Sequence, residues 1–172
     1  MIKSVVSLLL IAGISALTTG CLKDNSNAIP AVDCASVIVT APVGEISTLQ
    51  HRLDSLGISS STIKDPHGFF YSMDSTQVPD SANHATPCSN IAVTYSIAKL
   101  GDTVFEKSDS VVAVSLPYTN VLGLKAAVPL MKKGASITLY LPPSLAYGPS
   151  GYKTIAGNTY ITFTLTLYDF SN

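Results

Sequence analysis

The sequence predicts an α+β fold in which a curled antiparallel β-sheet, a half-barrel, wraps around one short α-helix and carries an N-terminal helical extension. From Gly68 onward, several segments alternate apolar and polar residues with a period of two, and only one segment has a helical pattern. One helix cannot cover both faces of such a sheet, but it can fill the concave face if the sheet curls. Ser and Thr at the alternate positions suit a second face that contacts water.

The first 20 residues have the pattern of an export signal. Lys3 supplies a positive charge, and the apolar run that follows, Val5 to Leu17, is shorter than the roughly 20 residues of a membrane-spanning helix. Gly20 and Cys21 resemble the end of a bacterial lipobox, although Leu17 stands one place further from the cysteine than is usual. The pattern favours a lipoprotein signal at 1–20, with lipid attached to Cys21, over a simple secretory signal.

Residues 21–34 are polar and contain a proline, which is typical of a tether. Several acyl chains on one cysteine would give a stable membrane anchor. Leu22 follows Cys21 in place of the aspartate associated with inner-membrane retention in enteric bacteria. We therefore predict a lipid-anchored protein of the bacterial cell envelope, at the outer membrane, on its periplasmic or surface face.

The number of cysteines agrees with this prediction. Three cysteines are an odd number for an exported protein, but Cys34 and Cys88 remain once Cys21 is assigned to lipid. An oxidising compartment allows these two to form a disulfide. The alternative is a pair of buried free thiols.

Residues 35–67 are predicted to form an N-terminal extension with one helix. Apolar residues recur there at spacings of three and four, and Gly57 follows them as a stop signal. The apolar positions are Ile46, Leu49, Leu53 and Leu56.

Residues 68–172 are predicted to form the main domain. Pro129 lacks an amide donor, so the single helix candidate, 120–131, should end or tighten near Val128. The predicted strand segments are 68–74, 91–100, 103–106, 111–116, 135–141 and 159–170.

Composition and motifs exclude several classes of function. The formal net charge is -1 and no basic stripe is present, which argues against a nucleic-acid-binding face. The chain has no glycine-rich phosphate loop, and "GPSGY" departs from the nucleophile elbow because Tyr152 replaces its last glycine. The three histidines, His51, His67 and His84, lack the spacing of metal ligands. We therefore expect neither a metal nor a cofactor.

Three stretches together resemble the FKBP-type peptidyl-prolyl isomerases: "VTYSIAKLGDTVFE", "VLGLKAAVPLMKKGASITLYLPPSLAYG" and "NTYITFTLTL". The ordered combination is V-x-Y, a turn followed by V-F-[DE], M-x-x-G, P-x-x-x-A-Y-G and a final aromatic strand. It covers roughly Gly68 to Phe170. The resemblance implies a curled sheet around a short helix and cis–trans isomerisation of X-Pro bonds in exported proteins by a monomer without cofactor.

The resemblance also implies which residues form the site. The chain departs from the family at Leu124, where tryptophan is most common, at Glu106, where aspartate is common, and at Val112, where an aromatic is common. The implied catalytic residues are Tyr147, Tyr95, Phe163 and Glu106. The implied substrate-binding residues are Phe105, Leu122, Leu124, Val112, Tyr152 and Ile155.

Two alternatives to an active isomerase are compatible with the sequence. The same fold with a degenerate pocket would be a binding or chaperone module of the cell envelope, and a purely structural lipoprotein is the third interpretation. The aromatic residues would then be ordinary core.

Overall fold

The computed structural model describes Cys34, residues 39–73 and residues 84–172. These residues belong to one compact unit, Val32–Asn172. The predicted signal at 1–20, the lipidation site Cys21 and the tether before Cys34 lie outside the described residues. In the part of the chain that is described, no helix has the length and apolar character needed to cross a membrane.

The described residues form a six-stranded antiparallel sheet with strand order β1-β2-β5-β6-β3-β4. The sheet is open, with β1 and β4 at its two edges, and the predicted α+β fold is confirmed. Alternation along the sequence did not reveal β1 because this strand has only two residues. The strands are β1 (Ile63–Lys64), β2 (Phe70–Met73), β3 (Asn90–Lys99), β4 (Val104–Ser115), β5 (Ser136–Leu141) and β6 (Ile161–Ser171).

β4 is one long strand, whereas the sequence predicted two separate segments at 103–106 and 111–116. Its pairing with β3 shifts register at two places, between Val93 and Tyr95 and between Ile97 and Ala98 of β3. Extra residues on one strand of a pair bend it and increase its twist. The polar residues between the two predicted segments therefore lie in an irregular part of the same strand.

Within the described residues, two α-helices accompany the sheet, α1 (Val43–Ser55) and α2 (Leu122–Ala127). A 3₁₀ turn, Val128–Leu130, continues α2, so the helix tightens at Val128, as Pro129 predicted. A Cβ atom on Gly123 would lie 2.4 Å from Cδ2 of Leu141, so α2 packs closely against β5 and a larger residue would force the Leu141 side chain to move.

The core lies between α2 and the concave face of the sheet. Leu124, Ala127 and Val128 are buried there among the inward residues of β5 and β6. Hydroxyl groups lie at alternate positions of the same strands, and those of Ser136 and Thr166 are 2.7 Å apart. The alternation of apolar and hydroxyl residues in the sequence therefore predicts correctly which residues of these strands face the core. The inward residues are Ile137, Leu139, Leu141, Ile161, Phe163, Leu165 and Leu167.

The extension packs on the same sheet. Leu49 and Leu53 of α1 are fully buried in a second apolar cluster with Phe70 and Tyr160. The guanidinium carbon of Arg52 lies 4.5 Å from the centre of the Tyr160 ring. Helix α1 is therefore fixed against the start of β2 and the residue that precedes β6.

A disulfide joins Cys34 to Cys88, with their Cα atoms 5.1 Å apart. Cys88 comes just before β3, and Cys34 precedes α1 along the chain. The bond therefore ties the start of the described extension to the sheet.

Candidate active site

A cavity of about 220 Å³ opens between α2 and the concave face of the sheet. We call it the aromatic pocket. Most of its wall is apolar, and Glu106 is the one charged side chain in that wall among the described residues. The pocket is lined by Ile91, Val93, Tyr95, Ile97, Glu106, Val114, Thr119, Asn120, Val121, Leu124, Tyr147, Tyr152, Phe163 and Leu165.

Two stacked aromatic pairs shape the pocket. The rings of Tyr95 and Phe163 have centroids 5.8 Å apart and an interplanar angle of 29°. The rings of Tyr147 and Tyr152 are nearly parallel, at 10°, with centroids 5.5 Å apart. Because each ring is held by another ring, the pocket wall keeps its shape without a bound ligand.

The loop after β5 carries Tyr147 over the pocket. Pro142 and Pro143 end the strand because neither can donate to the sheet. Gly148 donates its backbone N–H to the Pro143 carbonyl at 2.8 Å, which closes a turn around Tyr147. Gly151 has a φ of 70°, and a Cβ there would lie 2.2 Å from the carbonyl oxygen of Ile155. The sequence "LPPSLAYGPSGY" thus builds a tight overhang that presents two tyrosines.

The Tyr147 hydroxyl has no hydrogen-bond partner within the described part of the chain. Burial, with the nearby Glu106 carboxylate as a second cause, raises the pKa of Tyr147 to about 12. Its hydroxyl therefore stays protonated far above neutral pH and is free to donate a hydrogen bond to a bound molecule.

Glu106 and Tyr95 are paired at the pocket wall. The Tyr95 hydroxyl donates to Oε1 of Glu106 at 3.0 Å. Burial, followed by this hydrogen bond, raises the pKa of Tyr95. Lys153 brings its Nζ to 4.0 Å from Oε2 of Glu106 and to 5.0 Å from the centre of the Tyr152 ring. The carboxylate is thus engaged on both oxygens and orients the tyrosine.

A buried lysine supports the wall on the helix side. Lys125 of α2 is 4% exposed, and its Nζ donates to the Pro117 carbonyl at 3.0 Å. The segment after Pro117 contributes Thr119, Asn120 and Val121 to the pocket. The hydrogen bond therefore fixes this segment against the helix that provides Leu124.

Six of the ten residues that the family resemblance assigned to the site line the pocket. They come from β3, β4, α2, the loop after β5 and β6. The six are Tyr95, Glu106, Leu124, Tyr147, Tyr152 and Phe163.

Phe105 does not line the pocket, and its surface is 39% exposed. Glu106 pairs with Ile97, and Val104 pairs with the next residue, Ala98, so Phe105 is the extra residue of a bulge. Phe105 therefore lies at an irregular point of β4 and does not contribute to the wall of the cavity.

The other three assigned residues also lie outside the pocket wall. Val112 and Leu122 are half-buried against the core, where Val114 and Val121 provide the wall instead. Ile155 is a core residue whose backbone exchanges two hydrogen bonds with Tyr152, at 3.0 and 2.8 Å. Ile155 therefore shapes the loop that carries Tyr152.

Eight lining residues were not assigned to the site from the sequence. Four apolar residues of β3 and β6 carried a signal, because period-two alternation places them on the inward face with Tyr95 or Phe163, and Val114 of β4 pairs with one of them, Ile91. The three residues before α2 carried no signal for the pocket, because they lie at or before the start of the predicted helix segment. The eight are Ile91, Val93, Ile97, Val114, Leu165, Thr119, Asn120 and Val121.

The chemistry available in this pocket is limited to binding and desolvation. Among the described residues, no three His, Cys, Asp or Glu side chains are grouped so that they could hold a metal ion. The wall offers apolar surface, aromatic rings and a free hydroxyl. This arrangement suits a reaction in which no covalent bond is broken, such as rotation about a peptide bond.

Comparison with known families identifies the chain. The model of the FKBP-type peptidyl-prolyl cis-trans isomerases matches residues 81–168, which is about half of the sequence. The protein belongs to this family and is a peptidyl-prolyl cis-trans isomerase that binds proline-containing peptides. The search of curated proteins found no significant match.

Solved structures share the fold. A peptidyl-prolyl cis-trans isomerase from Pseudomonas syringae pv. tomato superposes with a TM-score of 0.62 at 18% identity, over 78% of this chain and 99% of that chain. FkpA from Escherichia coli superposes with a TM-score of 0.62 at 19% identity, over 74% of this chain and 60% of that chain. At these identities the likeness concerns the fold alone.

Proposed function

We propose that the isomerase acts in the aromatic pocket and that Tyr147 is its central catalytic residue. The observation that carries this proposal is an apolar cavity of about 220 Å³ with a tyrosine hydroxyl that has no partner among the described residues. A proline ring is an apolar group that such a wall can hold. The hydroxyl can then donate to a carbonyl of the same peptide.

The pocket would accelerate rotation by removing water from the amide. Rotation about an X-Pro bond is slow because amide resonance gives a barrier of about 18–20 kcal/mol. Resonance places negative charge on oxygen and positive charge on nitrogen, and an apolar environment disfavours this charge-separated form. The twisted amide lacks that charge separation, so the pocket destabilises the planar amide relative to the twisted one and lowers the barrier to rotation. Each 1.36 kcal/mol gained in this way is about tenfold in rate.

The remaining pocket residues would hold the peptide in place. Tyr95 and Phe163 grip the ring from one side, and Glu106 keeps Tyr95 oriented through its hydrogen bond. Leu124 forms the floor from α2. A leucine floor covers less of a proline ring than the tryptophan common in the family, and each Å² of apolar surface left in water costs about 25 cal/mol. Binding is therefore weaker than with a tryptophan floor.

Replacing Tyr147 by phenylalanine should lower kcat/KM about two- to tenfold, the effect of one hydrogen bond to the substrate. The Tyr147 hydroxyl bonds to nothing in the described residues, so its loss leaves no group unsatisfied and stability should be unchanged. Exchange NMR on a short X-Pro peptide measures the rate, and urea unfolding measures the stability.

The matched control is Tyr168→Phe, because Tyr168 is half-exposed and lies outside the pocket. It should keep the parent rate. Equal rates for Tyr147→Phe and the parent would remove Tyr147 from the mechanism. A parent chain that binds the peptide without accelerating its isomerisation would instead be a binding module.

We further propose that this isomerase is a lipid-anchored monomer of the bacterial cell envelope that assists the folding of exported proteins. The apolar segment before Cys21 supports export and lipid attachment. The bond between Cys34 and Cys88 also supports it, because structural disulfides persist in oxidising compartments. The proposed organisation is a signal at 1–20, a tether at 21–34, an extension at 35–67 and the isomerase domain at 68–172.

Cells that express the chain should process it before Cys21 and attach acyl chains there. Mass spectrometry of the membrane fraction would detect a mature N-terminus that carries acyl mass. The variant Cys21→Ser should lose this mass and leave the membrane fraction. An unmodified Cys21 in soluble parent protein would refute the anchor.

A further inference from the structure

Helix α1 lies outside residues 81–168, the region that the family model covers, yet it contacts the loop that carries Tyr147. Oε2 of Glu45 accepts a hydrogen bond from the backbone N–H of Ser144 at 3.0 Å. The two residues are 99 positions apart in the chain. The extension therefore reaches the overhang of the aromatic pocket through one carboxylate.

Ser144 is the point in this loop that most needs an acceptor. It lies in a 3₁₀ turn, Pro143–Leu145, and the first N–H groups of such a turn have no partner within it. The two preceding residues, Pro142 and Pro143, have no N–H at all. The Glu45 carboxylate satisfies the exposed donor with a charge-assisted hydrogen bond, which is stronger than one between neutral groups.

The same turn sets the position of Tyr147. Ala146 and Gly148 both donate to the Pro143 carbonyl, at 3.0 and 2.8 Å. These two bonds lie on either side of Tyr147 and close its backbone around the turn. A shift of the turn at Ser144 would therefore move the Tyr147 ring within the pocket.

Glu45 lies on a helix that is packed against the sheet. Leu49 and Leu53 are fully buried one and two turns further along α1. The Tyr160 hydroxyl donates to the Glu45 carbonyl at 3.5 Å. The carboxylate is thus presented from a helix that is packed on the sheet next to β6.

We propose that Glu45 is a positioning residue for the isomerase: it holds the turn at Ser144 and thereby places Tyr147 over the bound proline. The extension, through α1, is then part of the machinery that shapes the active site. This inference rests on the proposed role of the aromatic pocket.

The experiment uses the detergent-solubilised full chain and four variants. Glu45→Ala removes the acceptor and should lower kcat/KM about tenfold. The turn at Ser144 then lacks its hydrogen bond to α1, and Tyr147 is no longer held in a fixed position. Glu45→Asp keeps the negative charge at the start of α1, but its shorter side chain moves the carboxylate away from the Ser144 N–H. This variant should therefore behave like the alanine variant. Glu45→Gln keeps an acceptor oxygen at the same reach and should stay within about twofold of the parent. Asp54→Ala removes the other carboxylate of α1 and should match the parent.

A second readout separates positioning from plain stabilisation. With ¹³C-labelled tyrosine, NMR titration follows the Tyr147 ring, assigned by its loss in Tyr147→Phe. The pKa of Tyr147 is about 12 in the intact pocket, with burial as its main cause. In Glu45→Asp it should move toward the ordinary tyrosine value as the loop loosens and water reaches the ring.

Several results would overturn the inference. One is a Glu45→Asp variant with the parent kcat/KM, and another is a lowered kcat/KM with an unchanged Tyr147 titration. If the Glu45→Ala variant does not fold, the kcat/KM and the Tyr147 titration of the Glu45→Asp variant test the inference by themselves. A parent chain that does not accelerate isomerisation of the peptide would instead contradict the proposed function. A failure of the proposed function can therefore be told apart from a failure of the role inferred for Glu45.

Discussion

Replacing Phe163 by alanine is expected to destabilise the protein by about 3–5 kcal/mol and to remove most of its isomerase activity. Phe163 is 6% exposed, lies in the main core cluster and stacks on Tyr95. Its loss leaves a void beneath the pocket and frees the Tyr95 ring. Urea unfolding would measure the stability, and exchange NMR at low temperature would measure the rate in the fraction that remains folded.

Phe105→Ala is the informative control for this prediction. The sequence assigned Phe105 to the pocket, but this residue lies at a bulge in β4 and does not line the cavity. The alanine variant should therefore keep its activity and lose clearly less stability than Phe163→Ala. Comparable losses of activity in both variants would contradict the assignment of the pocket wall.

Removing the disulfide should have the second largest effect. Cys34 and Cys88 are 54 positions apart, and a bond that closes a loop of this length contributes about 4 kcal/mol in the chain-entropy model. The double variant Cys34→Ser, Cys88→Ser should unfold at correspondingly lower urea. Neither cysteine lines the pocket, so the activity of the folded protein should persist.

Thiol counting provides the check on that prediction. The unfolded, unreduced parent should show no free thiol from Cys34 or Cys88, and reduction should lower its stability to that of the double variant. Two free thiols in the parent, or equal stability of parent and variant, would rule out a stabilising bond.

The sequence predicted the fold well because the inward and outward residues alternate regularly along the inner strands. Phe163, Leu165 and Leu167 of β6 are buried, and the two threonines between them, Thr164 and Thr166, lie on the other face. The order of the family motifs then identified Tyr147 and Tyr95. These predictions depend on local patterns, which the sequence displays directly.

The features that the sequence did not reveal depend on interactions without a local pattern. The bulge at Phe105 is a property of the pairing between β3 and β4. Asn120 is the first residue of the predicted helix segment, where no pattern marks a pocket residue, and Lys125 fixes the chain nearby through its hydrogen bond to the Pro117 carbonyl. The hydrogen bond between Glu45 and Ser144 joins residues from distant parts of the chain. Such interactions follow from the assembled fold.

The two register shifts in β4 have a consequence for solubility. β4 is an edge strand, and a long regular edge is a template on which another chain can add a strand and begin to aggregate. The irregularities interrupt the row of free N–H and C=O groups and twist the edge, and Glu106, Lys107 and Asp109 place charges along it. The bulge at Phe105, which changes the pocket wall on one side of β4, therefore also makes the edge of the sheet a poorer template for strand addition.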